Sequence, residues 1–163
     1  MITILTTGGT IEGLEYDKID KAPEKAPISI EDHLSRIDIA PEYDIKEVFS
    51  KDSRFVNRRD RDLLLREIEF AENDKIIITH GTLTMVETAL FLGKLNLDKT
   101  IVLTGAFVLG TDPKTDAFEN LSFALTKVSS VEKGVYIAMH QTLFPWNNVQ
   151  KNMQENRFEN IKK

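Results

Sequence analysis

The run Thr7-Gly8-Gly9-Thr10-Ile11 follows the β-type segment Ile2-Thr3-Ile4-Leu5-Thr6 without a break, so a strand ends in a glycine turn that presents a hydroxyl. Adjacent glycines accept positive φ and close backbone approach, which lets amide N–H groups aim at a bound anion or a developing oxyanion beside Thr10. An ordinary strand-to-helix turn uses the same residue types, so the motif gains weight only from what converges on it. Four further clusters follow strand-like runs: Ser50-Lys51-Asp52-Ser53, His80-Gly81-Thr82-Leu83-Thr84, Thr104-Gly105 and His140-Gln141-Thr142, with Lys151 farther on. A threonine hydroxyl is a poor nucleophile near neutral pH and needs a base and oxyanion donors. Burial lowers a lysine pKa, which makes Lys151 a candidate base and Thr82 a candidate relay hydroxyl. The competing reading of Lys151 is a solvated surface charge.

These clusters need elements that bring them together. Strand-like runs at Ile2 to Leu5, Ile45 to Phe49, Lys75 to Thr79, Thr100 to Leu103 and Gly134 to Met139 alternate with helical periodicity at Asn57 to Phe70, Thr84 to Leu95 and Ala117 to Val128. The continuous runs Ile76-Ile77-Ile78 and Ile101-Val102-Leu103 suit parallel strands covered on both faces. The expected fold is α/β, a doubly wound, mostly parallel sheet of Rossmann-like or flavodoxin-like type, in a single domain spanning residues 1–163. Such sheets bind ligands beyond the carboxyl ends of their strands, where all the clusters fall. The charged, proline-containing segment 13–27 is expected to be a mobile flap. The polar tail 152–163 is expected to be a short amphipathic helix or frayed.

Composition narrows the partners. The net charge of −5 comes without any basic stretch interleaved with aromatics, so no nucleic-acid surface is expected. No apolar run reaches the roughly 20 residues of a membrane span, and the first residues lack a signal-peptide pattern, so a cytoplasmic location is expected. The chain has no cysteine, which excludes disulfides and thiolate sites, and its three histidines lack metal-ligand spacing. Gly8-Gly9 does not fit the G-x-G-x-x-G turn and no strand leads into Gly-Lys-Ser/Thr, so no metal, nucleotide or other cofactor is expected.

The order of the motifs resembles the amino-terminal domain of the bacterial-type L-asparaginase and glutaminase family. Thr7-Gly8-Gly9-Thr10-Ile11 resembles its first signature, and His80-Gly81-Thr82-Leu83-Thr84-Met85-Val86-Glu87-Thr88 its second; Val102-Leu103-Thr104-Gly105-Ala106, Asp116 and Asn120-Leu121 continue the pattern. The resemblance implies an amidohydrolase with Thr10 as nucleophile, Thr82 as second threonine, and Lys151 as activating lysine. It puts Ser50 on the substrate carboxylate, with Gly9 and Gly81 lining the pocket. Tyr16 is the only tyrosine near the flap position, at a shorter spacing than the family's.

Three departures accompany the resemblance. Leu83 stands where the family has an aspartate that binds the substrate ammonium and pairs with the lysine. Lys51 stands where relatives often carry a neutral polar residue, and it would repel an ammonium unless Asp52 neutralises it. The family's carboxy-terminal domain is not in this chain, so Phe144-Pro145-Trp146 is expected at a subunit interface or against the tail, in a homo-oligomer (dimer or tetramer). Two functions follow: hydrolysis of a small carboxamide, L-asparagine or a related amide, with weakened or altered specificity; or non-catalytic, regulatory binding of a small carboxylate on the same fold.

Overall fold

Successive side chains of the isoleucine-rich runs alternate between two apolar layers, and this accounts for their lack of polar alternation. In the computed structural model, which describes residues 1–14, 26–38 and 41–161, five parallel strands form the sheet. They are β1 (Ile2–Thr6), β2 (Tyr43–Glu47), β3 (Lys75–Thr79), β4 (Thr100–Thr104) and β5 (Gly134–Met139), and β6 (Thr142–Pro145) adds to β5 antiparallel. The order is β2-β1-β3-β4-β5-β6. The doubly wound, mostly parallel α/β fold expected from the sequence is therefore present.

Helices cover both faces. Leu5, Ile76, Ile78, Ile101 and Leu103 pack with α2 (Arg58–Phe70) and α3 (Met85–Gly93), through Leu64, Ile68, Met85, Ala89 and Leu92. Ile2, Ile4, Ile77 and Val102 pack on the other face with α1 (Ile30–Leu34) and α4 (Ala117–Val128). Every one of these side chains is essentially inaccessible, and each contributes about 1.5–3 kcal/mol of burial if large and aliphatic. The helical bounds match the apolar spacing read from the sequence to within a residue or two.

Differences lie at the edges. β2 begins two residues earlier than its apolar run suggests, because an edge strand buries one side only and its ladder to β1 runs from Ile2↔Tyr43 to Thr6↔Glu47. The five-residue α1 has little periodicity to betray it and is held by a capping box between Ser29 and Asp32. β5 turns into β6 through His140 and Gln141, both at positive φ (49° and 60°), a hairpin made without the usual Asn-Gly pair.

The tail is neither helical nor frayed over its described part. β7 (Gln150–Asn152) and β8 (Arg157–Glu159) form an antiparallel hairpin that carries the buried Phe158 into the core. Trp146 packs on its own chain: a methyl group on Gly93 would lie 2.1 Å from its ring, so the indole rests directly on α3. Phe144 is buried in the same core as Phe158, and the Phe144-Pro145-Trp146 patch is accounted for within the chain, partly by the tail.

Candidate active site

The sheet order puts β2 and β3 on opposite sides of β1, so the chain changes direction across the sheet at β1. Crevices at such a switch point lie beyond the carboxyl ends of the strands. Thr10 follows β1 in a short 3-10 turn, Thr10–Glu12, and Thr82 follows β3; both are buried. Thr6 and Thr79 are paired in the ladder, and the Thr7 hydroxyl donates to the Thr79 carbonyl at 2.7 Å, so the two loops leave the sheet side by side.

Glycine brings the loops into contact. Gly9 has φ +89°, and a methyl group there would sit 2.6 Å from the Gly81 nitrogen. The Thr10 and Thr82 loops thus touch backbone to backbone, a spacing no larger residue permits. Gly9→Ala is expected to lower stability by about 2 kcal/mol or more, through strain at positive φ and separation of the loops. Urea denaturation measures this, and an unchanged midpoint would contradict the contact.

The Ser50-Lys51 loop closes the other side of the turn. The Lys51 amide donates to the Thr7 carbonyl at 3.0 Å, and Gly8 (φ +92°) packs on the Lys51 backbone. Ser50 and Lys51 are half-buried. The Lys51 ammonium donates to both oxygens of Asp60 at 2.8 Å, while Asp52 pairs with Arg54. Of the two alternatives left open for Lys51, neutralisation occurs, but through Asp60 and not Asp52: Asp60 is fixed as the third residue of α2 by its capping box with Asn57.

Lys151 reaches the crevice from β7. Its Nζ donates to Thr82 Oγ1 at 3.1 Å and lies 5.3 Å from the centre of the Phe107 ring. Burial lowers the Lys151 pKa from the ordinary lysine value. Lys151 is half-buried, so its amine is only partly solvated. Leu83, half-buried, follows Thr82 without supplying a carboxylate. Tyr16 and most of the 13–27 segment lie outside the described residues.

Several residues support these, and of them Glu12 and Arg61 gave no signal in the sequence. Ser53 is buried against Gly81, and its carbonyl and hydroxyl hold Thr84. His80 is neutral because burial lowers its pKa to about 4. Arg61 Nε donates to Thr88 Oγ1 at 3.0 Å and Thr88 lies 2.9 Å from His80 Nε2, so Nδ1 carries the ring proton and donates to the Gly81 carbonyl at 2.7 Å. Glu12 is buried beside the turn: desolvation raises its pKa to about 7, with the Gly8 amide acting in the opposite direction. That amide is engaged by Glu12.

Asp116 braces the far wall. Its carboxylate accepts the Phe107 and Val108 amides at 3.0 Å, Asn120 Nδ2 at 2.8 Å and His140 Nε2 at 2.8 Å. Burial works to raise its pKa, but the Val108 amide, His140 and the Phe107 amide together hold it below the usual aspartate value. Among the described residues no group of three or more His, Cys, Asp or Glu is arranged to hold a metal ion. No described helix is long and apolar enough to cross a membrane.

Comparison with known proteins gives a consistent result. The family model described as "Asparaginase, N-terminal" matches residues 1–162. The L-asparaginase of Thermococcus kodakarensis is 30% identical over 98% of this chain and 51% of its own length, and L-asparaginase 2 of Escherichia coli is 31% identical over 92% and 46%. The solved structure of the thermostable Thermococcus kodakarensis enzyme superposes with a TM-score of 0.84 at 29% identity, covering 98% of this chain and 51% of that one. A probable cytoplasmic L-asparaginase from Campylobacter jejuni gives 0.79 at 30% identity over 98% and 52%. The chain spans about half the length of the curated relatives it matches.

Proposed function

Because the chain belongs to the asparaginase family and corresponds to its amino-terminal domain, we propose that it hydrolyses a small carboxamide with Thr10 as the nucleophile. Thr10 Oγ adds to the amide carbon while its proton passes by way of the Thr82 hydroxyl to the neutral amine of Lys151. The tetrahedral intermediate collapses, the C–N bond breaks, and ammonia leaves with the transferred proton. Water then attacks the acyl ester, which frees the carboxylate and restores Thr10. The observation that carries this reading is the 3.1 Å hydrogen bond from Lys151 to Thr82 in a loop that touches the Thr10 turn.

Specificity follows from what surrounds that pair. Ser50, next to the Gly8 turn, takes the substrate carboxylate. Leu83 gives an α-ammonium no counter-charge, and Asp60 already holds the Lys51 charge, so the altered preference rests on Leu83. Amides lacking an α-ammonium, such as the monoamide of succinic acid, are the favoured substrates, ahead of L-asparagine. The chain assembles as a homo-oligomer, dimer or tetramer. We place the protein in the cytoplasm, like the probable cytoplasmic relative.

The test is steady-state ammonia release from L-asparagine, L-glutamine and succinic acid monoamide, beside thermal denaturation with aspartate and succinate. Turnover is expected, fastest on the monoamide. A second reading, non-catalytic carboxylate binding, is favoured by Leu83 alone. It predicts no ammonia from any amide, yet stabilisation by about 2.7 kcal/mol at roughly 100 times the dissociation constant of the acid.

A further inference from the structure

Lys151 has an aromatic neighbour where the family resemblance leads one to expect an acidic one. Its Nζ lies 5.3 Å from the centre of the Phe107 ring, inside the ~6 Å range of attraction between a cation and a ring face. The same nitrogen donates to Thr82 Oγ1 at 3.1 Å. The ring is itself fixed on several sides. Its backbone amide donates to Asp116 at 3.0 Å, and its faces and edges meet His140 at 5.1 Å and Phe158 at 5.7 Å between ring centres. Phe158 arrives on β8, the partner strand of the one that carries Lys151, with Lys151 paired to Phe158. One small hairpin therefore supplies both the amine and a support for the ring beneath it.

A carboxylate and a ring face hold a lysine differently. A full negative charge favours the ammonium strongly and keeps the proton on nitrogen. The ring quadrupole attracts the ammonium far more weakly, while its hydrocarbon bulk excludes water. We propose that Phe107 is the positioning residue for Lys151, its ring face aiming the amine at Thr82 in the place of a carboxylate after Thr82. This inference rests on the reading of Lys151 as the proton acceptor. It explains how a site with Leu83 keeps its lysine directed without a carboxylate directly after Thr82.

The full chain is compared in three forms: parent, Phe107→Leu and Phe107→Tyr. Leucine fills a similar apolar volume without a ring face, and tyrosine keeps the face. One readout is ammonia release across pH; the other is acetylation of Lys151 by acetic anhydride across pH, followed by mass spectrometry, which needs no turnover. Phe107→Leu is expected to lower kcat about tenfold with KM within about twofold. It is also expected to move the acetylation midpoint about half a pH unit lower, because the ammonium loses its ring face. Phe107→Tyr is expected to stay near the parent in both. A leucine form with the parent's midpoint, or leucine and tyrosine forms that behave alike, overturns the proposal and leaves the ring a packing role. Absence of ammonia release by the parent sinks the amidase reading, and the acetylation midpoints still decide whether the ring holds the amine.

Discussion

Thr10→Ala is expected to reduce ammonia release by about 10³-fold or more while the protein stays folded. The hydroxyl is the one atom of the site that forms a covalent bond to substrate in the proposed reaction, and water cannot replace it without losing its fixed position. The backbone around it is held independently of the side chain. The Thr10 carbonyl accepts the Gly13 and Gly110 amides at 2.9 Å each, and Gly9 rests on Gly81. Denaturation of the variant should therefore stay close to the parent, and carboxylate binding should persist. Ammonia release by Thr10→Ala at the parent's rate would remove threonine from the mechanism, whatever the family of the chain.

Lys151→Met ranks second, with an expected loss of about 10²- to 10⁴-fold in kcat. Methionine keeps most of the stem and removes the amine, so the hairpin retains its packing. The pH dependence gives an independent check. Burial lowers the Lys151 pKa, and only the neutral amine accepts a proton, so parent activity rises with pH through a value below the ordinary lysine range. The stability linkage has the matching sign. A lysine whose folded pKa is lowered binds fewer protons when folded, so its contribution to stability improves as pH rises between the folded and unfolded values and is least favourable below the folded one. Lys151→Met removes that acid-side penalty and should be at least as stable as the parent near neutral pH. A variant that loses activity only because it unfolds would show the opposite in a urea titration. An alkaline limb that survives the substitution would assign the titration to another group.

Much of the site was legible because its parts are local. Gly8-Gly9-Thr10 and Gly81-Thr82 each sit immediately after an apolar run, and a strand end is a place that the sequence states directly. Lys151 was harder, since it stands just before the polar tail 152–163: Gln150, Lys151 and Asn152 are all half-buried, which no alternation reveals. The partner strand Arg157–Glu159 has a single apolar residue, Phe158, too little signal for a hairpin. The partner of Lys51 was not legible for a related reason. Asp52 is its neighbour in sequence, but Asp60 is its neighbour in space once Asn57 starts α2.

The sequence alone determined the parallel α/β sheet, because strands buried on both faces must be apolar throughout and helices that cover them must be apolar on one stripe. It also determined which residues stand at the strand ends, and hence Thr10, Ser50 and Thr82. Only the tertiary structure decided what those residues meet: Gly9 on Gly81, Asp60 on Lys51, and Lys151 between Thr82 and Phe107. Apart from Lys51 and Asp60, which are nine residues apart, those contacts join segments tens of residues apart, and their distances are set by packing of the whole sheet and its hairpins, a quantity no local pattern of residues encodes.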